Sequence, residues 1–347
     1  MLRFHHYSSQ FSERPKVSTE HNMEFQADTL QSSYAFGKSI VTDEDRSKPL
    51  RTYLFGFPIA HSLAPLLHAT LFTEQNIPWS YTLIESVDKS DFLPKLKASD
   101  CVGAAITMPH KVLSMTECDY VTDEARAIGA INTIFVRKDA KSDKSLYIGT
   151  NTDATGIREA FLKNFPGILS QSRGRPAAVI GGGGACRSAI YALWTWFGAS
   201  EIYVVNRLDS EVHTIKESFQ STLPECKLTH ISSVEQVGGL EPPVVVVGTV
   251  PDITPTQPSE TLARDIAGAI LELQPQGFVL EMCYHPKPST YFFRLASKLG
   301  WKVLPGTEAM IHQGIAQQVL WLEKPLEDIP DAEAKRVIGI EVGKHSR

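Results

Sequence analysis

Apolar and polar positions along this chain follow two periods, and the changes between them mark the elements. Short apolar runs of strand length occupy 52–56, 81–84, 103–107, 201–205, 244–247, 278–281 and 302–304. Between them the spacing becomes helical. At 65–75, Leu67, Leu71 and Phe72 share one face, and comparable stretches lie at 92–98, 154–164, 186–197 and 308–322, with a short helix expected near 111–115 after Pro109. The run 244–247 is all valine, as in a strand buried on both faces. Strands alternating with helices predict an α/β protein with mainly parallel sheets. The elements divide into a first α/β domain, 50–155, and a doubly wound domain, 156–305. The last helical stretch, within 306–347, is expected to cross back and complete the first. Residues 1–49 are rich in Ser, Gln, His and charge with few clustered aliphatics, and read as a flexible polar tail. Their mixture of Arg3, Arg14 and Lys16 with Glu13, Glu20 and Glu24 is unlike a transit peptide, and Met23 offers an alternative start.

The segment 177–187 reads Ala-Ala-Val-Ile-Gly-Gly-Gly-Gly-Ala-Cys-Arg. A glycine cluster alone says little, because turns use glycine for positive φ without binding anything. Here a strand delivers the chain to the turn and a helix follows, so the backbone can approach a pyrophosphate and aim helix N–H groups at its charge. Gly181, Gly183, Gly184 and Ala185 are the candidate contacts. At the end of the next strand stands Asn206-Arg207 rather than the acidic residue that usually accepts from a ribose 2′-OH. An Arg there can cover a 2′-phosphate, which favours NADP. Asp209 and Glu211 follow closely and would repel a phosphate if they face the site, which keeps NAD as the alternative.

Composition narrows the partners. At 347 residues, 42% hydrophobic and 21% charged, the chain has room for two domains of an ordinary soluble protein. A net charge of −5 and a pI near 6.1 argue against nucleic acid or an anionic membrane as the main partner. Cys101, Cys118, Cys186, Cys226 and Cys283 are odd in number and scattered, without a C-x-x-C pair. Metal-site spacing is absent, and reduced thiols in the cytoplasm are the natural reading. No apolar stretch reaches the roughly 18 residues of a membrane span.

Three strand ends gather small polar and ionisable residues. In 56–65, Ser62 stands where a helix begins, to cap it or to donate to a ligand carboxylate. In 106–111, Lys111 follows a strand–Pro turn at a sheet's carboxyl edge, where α/β ligand sites form, although a lone Lys is ordinarily a solvated charge. In 149–153, Asp153 is placed to hold an ammonium or a substrate hydroxyl.

Together these pieces resemble the shikimate/quinate dehydrogenases, and most nearly the shikimate dehydrogenase segment of the fungal five-activity arom polypeptide. The resemblance runs from about Tyr53 to Leu322. It is carried by Phe55-Gly56-x-Pro58-Ile59-x-His61-Ser62, Gly103-Ala104-Ala105-Ile106-Thr107-x-Pro109-x-Lys111 and Ile128-Gly129-Ala130-Ile131-Asn132-Thr133. Asn151-Thr152-Asp153, the glycine loop, Leu280-Glu281-Met282-x-Tyr284 and His312-Gln313-Gly314 complete it. The resemblance implies an NADP-dependent enzyme, with NAD as the alternative, that transfers hydride to or from a ring hydroxyl of a cyclohexene or cyclohexane carboxylate. By the same resemblance Lys111 exchanges the proton of the reacting oxygen and Asp153 is its partner. Asn132 and Gln313 hold ring hydroxyls, Ser62 meets the carboxylate, and Thr107 and Tyr284 stand near the carboxylate end and the site wall. Gly306 contacts the nicotinamide, and Thr249-Val250-Pro251 passes that ring. A cation beside the reacting oxygen agrees with the charge that develops there.

Two departures stand out. The family's Ser-x-Ser is Ser62-Leu63-Ala64 here, which removes a donor and opens space beside the ring carbon that in quinate carries an extra hydroxyl. Ala105 replaces an Asn seen in bacterial members, but the fungal segment tolerates it. His110, beside Lys111, reads as a packing residue. A rival reading, a metabolite sensor that has lost turnover, gives no reason to keep both Lys111 and Asp153.

Overall fold

The structure, a computed structural model, describes residues 25–285 and 287–344. Residues 1–24, Met23 among them, lie outside the described residues.

The chain forms two six-stranded sheets. The first contains β1 (Arg51–Gly56), β2 (Ser80–Glu85), β3 (Cys101–Ile106), β4 (Tyr120–Val121), β5 (Thr133–Lys138) and β6 (Ser145–Thr150), in the order β2-β1-β3-β5-β6-β4. Pairing is parallel except that β5 runs antiparallel to β3 and to β6. The hairpin that pairs β5 with β6, and β4, are not among the expected elements, although the strand end expected at 149–153 is the end of β6. Thr107 leaves β3 directly over Gly56, where a Cβ would come within 2.3 Å of the Thr107 methyl. Glycine at the end of β1 therefore lets the two strand exits meet, and the Phe57 N–H donates to the Met108 carbonyl at 2.8 Å. Beyond Pro109 the expected α-helix is a 3-10 turn at Leu113–Glu117, and the stretch 92–98 shortens to a single turn, Leu93–Leu96.

The second sheet contains β7 (Ala177–Ile180), β8 (Ile202–Val205), β9 (Leu228–His230), β10 (Val245–Gly248), β11 (Phe278–Glu281) and β12 (Lys302–Pro305). Its order is β12-β11-β10-β7-β8-β9, every pair parallel. This is the doubly wound arrangement, with its topological switch between β7 and β10. The sequence reading lacked β9 and the helices Asp209–Thr222, Pro258–Glu272 and Tyr291–Lys298.

After β12 the helix Gly306–Leu322 returns to the first sheet. Trp321 packs into the space left by Gly103, where a Cβ would lie 2.2 Å from the indole nitrogen, and that nitrogen donates to the Ile134 carbonyl at 3.0 Å. The helix stops at Glu323, which adopts a left-handed conformation (φ 52°). A separate helix, Ala332–Lys344, packs on Ala64–Glu74.

Residues 25–49 are not the polar tail expected of them. Phe25–Ser33 and Asp43–Arg46 are helical, and Leu30, Ser33 and Val41 are buried. Apolar packing of Leu30 and Val41 and a buried ion pair hold this segment. Arg137, 1% exposed, pairs with Glu323 at 3.2 Å and donates to Ser33 Oγ at 2.7 Å, its guanidinium lying over the rings of Tyr34 and Phe135. Glu323 also accepts from the Tyr34 hydroxyl at 3.0 Å and the Ile40 N–H at 3.1 Å. A sparse sequence docks in part because charge left inside a core must find partners.

Candidate active site

Lys111 and Asp153 meet where the first sheet faces the second. The loop carrying Lys111 is tied down by its own carbonyl, which accepts from the Ile131 N–H at 2.8 Å. Asp153 is in the first turn of the helix Thr152–Asn164, capped by Asn151, whose side chain accepts the Ala154 N–H at 3.2 Å and donates to the Ala130 carbonyl at 2.9 Å. The Lys111 ammonium donates to Asp153 Oδ2 in a short ion pair, and Oδ1 accepts from Asn132 Nδ2 at 2.8 Å. The Asn132 amide has a fixed sense, because its Oδ1 takes the Thr152 N–H at 2.7 Å and the Thr133 hydroxyl at 2.8 Å. Its Nδ2 also donates to Gln313 Oε1 at 3.2 Å, and the Gln313 amide reaches back to the Met310 carbonyl. Asn132 and Asp153 are buried. Four side chains from separate parts of the chain thus form one polar network, with a cation at its rim. An ammonium so held can donate to, or stabilise charge on, an oxygen placed beside it. Thr133 and Thr152, which aim the amide, are the supporting residues that sequence reading missed.

Beside the network lies the start of the helix Ala64–Glu74. Ser62 Oγ accepts the Ala64 N–H at 3.2 Å, but the helix begins after Leu63 with no side-chain cap, so Ser62 braces the preceding turn and does not cap the helix. Ala64 is buried in the first turn. Tyr284, on the loop after β11, lies against Ser62 and the Leu63 backbone, and burial pushes its phenol up. Next to it His61 and His285 stack with ring centroids 3.9 Å apart, so this wall is built by both sheets' loops. Burial, and then His285, hold the His61 imidazole below its ordinary value. Thr107 is half-buried at the β3 exit. His110 is a packing residue, stacked on Phe55 with centroids 4.1 Å apart and hydrogen-bonded to the Ser86 carbonyl.

The glycine loop follows β7 at the switch point. Gly181 has φ +134°, and a Cβ there would lie 2.1 Å from the Thr249 hydroxyl. Thr249 is pinned by its N–H and hydroxyl, both donating to the Ile180 carbonyl at 2.8 Å. Gly182 lies against the side-chain ends of Asn206 and Glu211, which a Cβ there would have to displace. Beyond Gly183 there is open space, and the helix Gly184–Thr195 that starts there has no side-chain cap and no acid in its first turn. Its exposed N–H donors and the side-chain-free approach fit a pyrophosphate. Ala185 is the second residue of this helix. The Lys111 stem packs against Gly184, with Cδ 3.1 Å from where a Cβ would stand, so the loop and the ammonium are neighbours. Ser188, one helical turn on, donates to Asn151 at 3.2 Å.

Gly306 closes onto the Met282 carbonyl, 2.1 Å from a would-be Cβ, bringing the start of the helix Gly306–Leu322 to the β11 exit. There Glu281, 2% exposed, accepts the Cys283 N–H at 3.0 Å and lies over Gly248, its carboxyl pushed up to about 8 by burial. At the β8 corner Glu211 turns toward the glycine loop and accepts from Asn206 at 2.6 Å, whereas Asp209 is exposed. Arg207 is ion-paired with Glu260. Glu260 was not a candidate, because the helix that carries it went unrecognised.

Comparison with known proteins meets this geometry. Residues 54–134 match the model of the shikimate dehydrogenase substrate binding domain. The chain is 38% identical over 308 residues to a quinate dehydrogenase of Emericella nidulans, covering 84% of this chain and 92% of that one. Among solved structures it matches the dehydroquinate dehydratase and shikimate dehydrogenase chain of S. pombe AroM at 31% identity and TM-score 0.67, covering 84% of this chain and 53% of that one. It thus spans about half the length of that solved chain. It also matches a Thermus thermophilus shikimate 5-dehydrogenase, described in complex with NADP(H) and shikimate, at 26% identity and TM-score 0.62, covering 83% and 99%. The chain belongs to the shikimate/quinate dehydrogenase family.

Proposed function

We propose that this protein is an NAD(P)-dependent oxidoreductase of the CH–OH group that interconverts a ring hydroxyl and a ketone on shikimate, quinate or a close analogue. The observation that carries this reading is the Lys111–Asp153 pair lying against Gly184, the first residue of the glycine-loop helix. The bound dinucleotide would accept or supply the hydride. As a ketone becomes an alcohol the Lys111 ammonium gives its proton to the oxygen, and in the reverse direction the neutral Lys111 amine takes the hydroxyl proton. Asp153 holds the ammonium, and Asn132 and Gln313 offer amides to neighbouring ring hydroxyls. Ser62 and Thr107 serve the carboxylate end, and Tyr284 walls the site. Gly181, Gly183, Gly184 and Ala185 line the pyrophosphate side, Asn206 and Arg207 the adenosine corner, and Thr249 and Gly306 the nicotinamide end. Free thiols fit a cytoplasmic setting, and among the described residues no helix is long and apolar enough to cross a membrane.

A second reading, an NAD-linked quinate dehydrogenase, is favoured by Glu211 turned toward the glycine loop and by the quinate dehydrogenase name of the Emericella relative. Initial-rate oxidation of shikimate and of quinate, each with NAD and with NADP, tests both. Turnover in any of the four assays supports the enzyme reading, and none in all four would sink it.

A further inference from the structure

Arg207 does not stand free at the end of β8. Its Nη1 is ion-paired with Glu260, in the first turn of the helix Pro258–Glu272. Glu260 is itself immobilised, because Oε2 accepts the N–H groups of Thr256 at 2.9 Å and Gln257 at 3.2 Å, completing a capping box. Those backbone bonds hold its carboxyl below the ordinary range. The pair joins the loop after β8 to the segment after β10, and these strands flank β7 and its glycine loop. It therefore spans the corner toward which the adenosine half of a dinucleotide extends from the pyrophosphate site. A 2′-phosphate there would need a cation. The one that the β8 corner supplies is already paired with a carboxylate, and Glu211 faces the same corner beside Gly182.

We infer that Glu260 is a specificity-determining residue, which claims the Arg207 guanidinium and so lowers the preference for NADP over NAD. The inference rests on the dinucleotide-binding reading above. It places the selectivity of this corner on a helix cap distant in sequence from the glycine loop.

Glu260→Gln tests it without disturbing the fold, since Gln serves the same capping position while carrying no charge. Glu272→Gln makes the same change in net charge at the other end of the helix, roughly 18 Å away at 1.5 Å per residue. Fluorescence titration of NADH and NADPH against wild type and both variants, with melting temperatures to confirm folding, gives the ratio of the two dissociation constants. In Glu260→Gln the ratio should move toward NADPH by about ten-fold, the scale of a hydrogen-bonded charge released to a new partner. In Glu272→Gln it should stay within about two-fold. Both reduced dinucleotides binding wild type with a ratio that Glu260→Gln leaves unmoved, or shifts toward NADH, overturns the inference alone. Wild type binding neither overturns the dinucleotide reading and the inference with it.

Discussion

Lys111 has two parts that substitution can separate. Its stem packs on Gly184 while its ammonium meets Asp153. Lys111→Met keeps the stem and removes the proton donor, so kcat should fall by roughly a hundred-fold or more, the scale of general acid–base catalysis. NADPH affinity, read by fluorescence, should change only a few-fold. Near-normal turnover would remove Lys111 from the chemistry. Ala64 poses a question of substrate. It lies buried two residues after Ser62, where a second hydroxyl would add a donor and take up space beside the carboxylate-bearing ring carbon. Ala64→Ser should therefore raise the shikimate-to-quinate ratio of kcat/KM by about ten-fold. An unchanged ratio means that Ala64 does not face the substrate. Lys111 and Asp153 stand out as ionisable residues just past strand ends, whereas Asn132 and Gln313 are singled out only by the family resemblance. Glu260 does not stand out, because what makes it matter is a neighbour far away in sequence.

Single elements follow the same logic. The four inner strands of the second sheet, β7, β8, β10 and β11, are apolar runs buried on both faces and stand out locally, whereas the edge strand β9 is only partly buried and does not. The β5–β6 hairpin hid behind a polar connection, 139–144, and behind a charged residue, Arg137, that is buried beside the apolar run 134–136. Charge at that position reads as a loop until its partner is known. The end of β11 carries a testable electrostatic cost. Glu281 keeps its proton up to about pH 8 when folded, against 4.5 for an unperturbed carboxyl, because it is buried. Between those values the native state binds a proton that the unfolded chain has lost. The associated stability is complete below about pH 4.5 and is lost as pH rises through about 8. The charge of Asp252 opposes Glu281 ionisation further, whereas the Cys283 N–H that Glu281 accepts works the other way and is outweighed by burial. Glu281→Gln preserves an acceptor for the Cys283 N–H and cannot ionise, so its melting temperature should fall less than that of wild type between pH 5 and pH 9. Parallel curves would show that Glu281 ionises freely.

At the scale of the whole molecule, the N-terminal segment, the first sheet and the end of the helix Gly306–Leu322 converge on the Arg137–Glu323 pair. Glu323→Ala would strand a buried guanidinium and leave the Tyr34 hydroxyl and Ile40 N–H without their acceptor. It should cost about 3–5 kcal/mol in urea denaturation, and limited proteolysis should cut first within residues 25–49. A loss under about 1 kcal/mol would mean that water replaces the carboxylate there. The helix that ends at this clasp also has a consequence in time. The strands of the first sheet are all made by residue 150, but Trp321, which covers one face of that sheet, arrives 171 residues later. At about 5–20 residues per second, a ribosome takes roughly 9–34 seconds to bridge that gap. Meanwhile the second sheet, whose strands all lie between 177 and 305, has its full set in hand. The half begun first is finished last, and a nascent chain carries its unfinished sheet, one face uncovered, through the synthesis of an entire second domain.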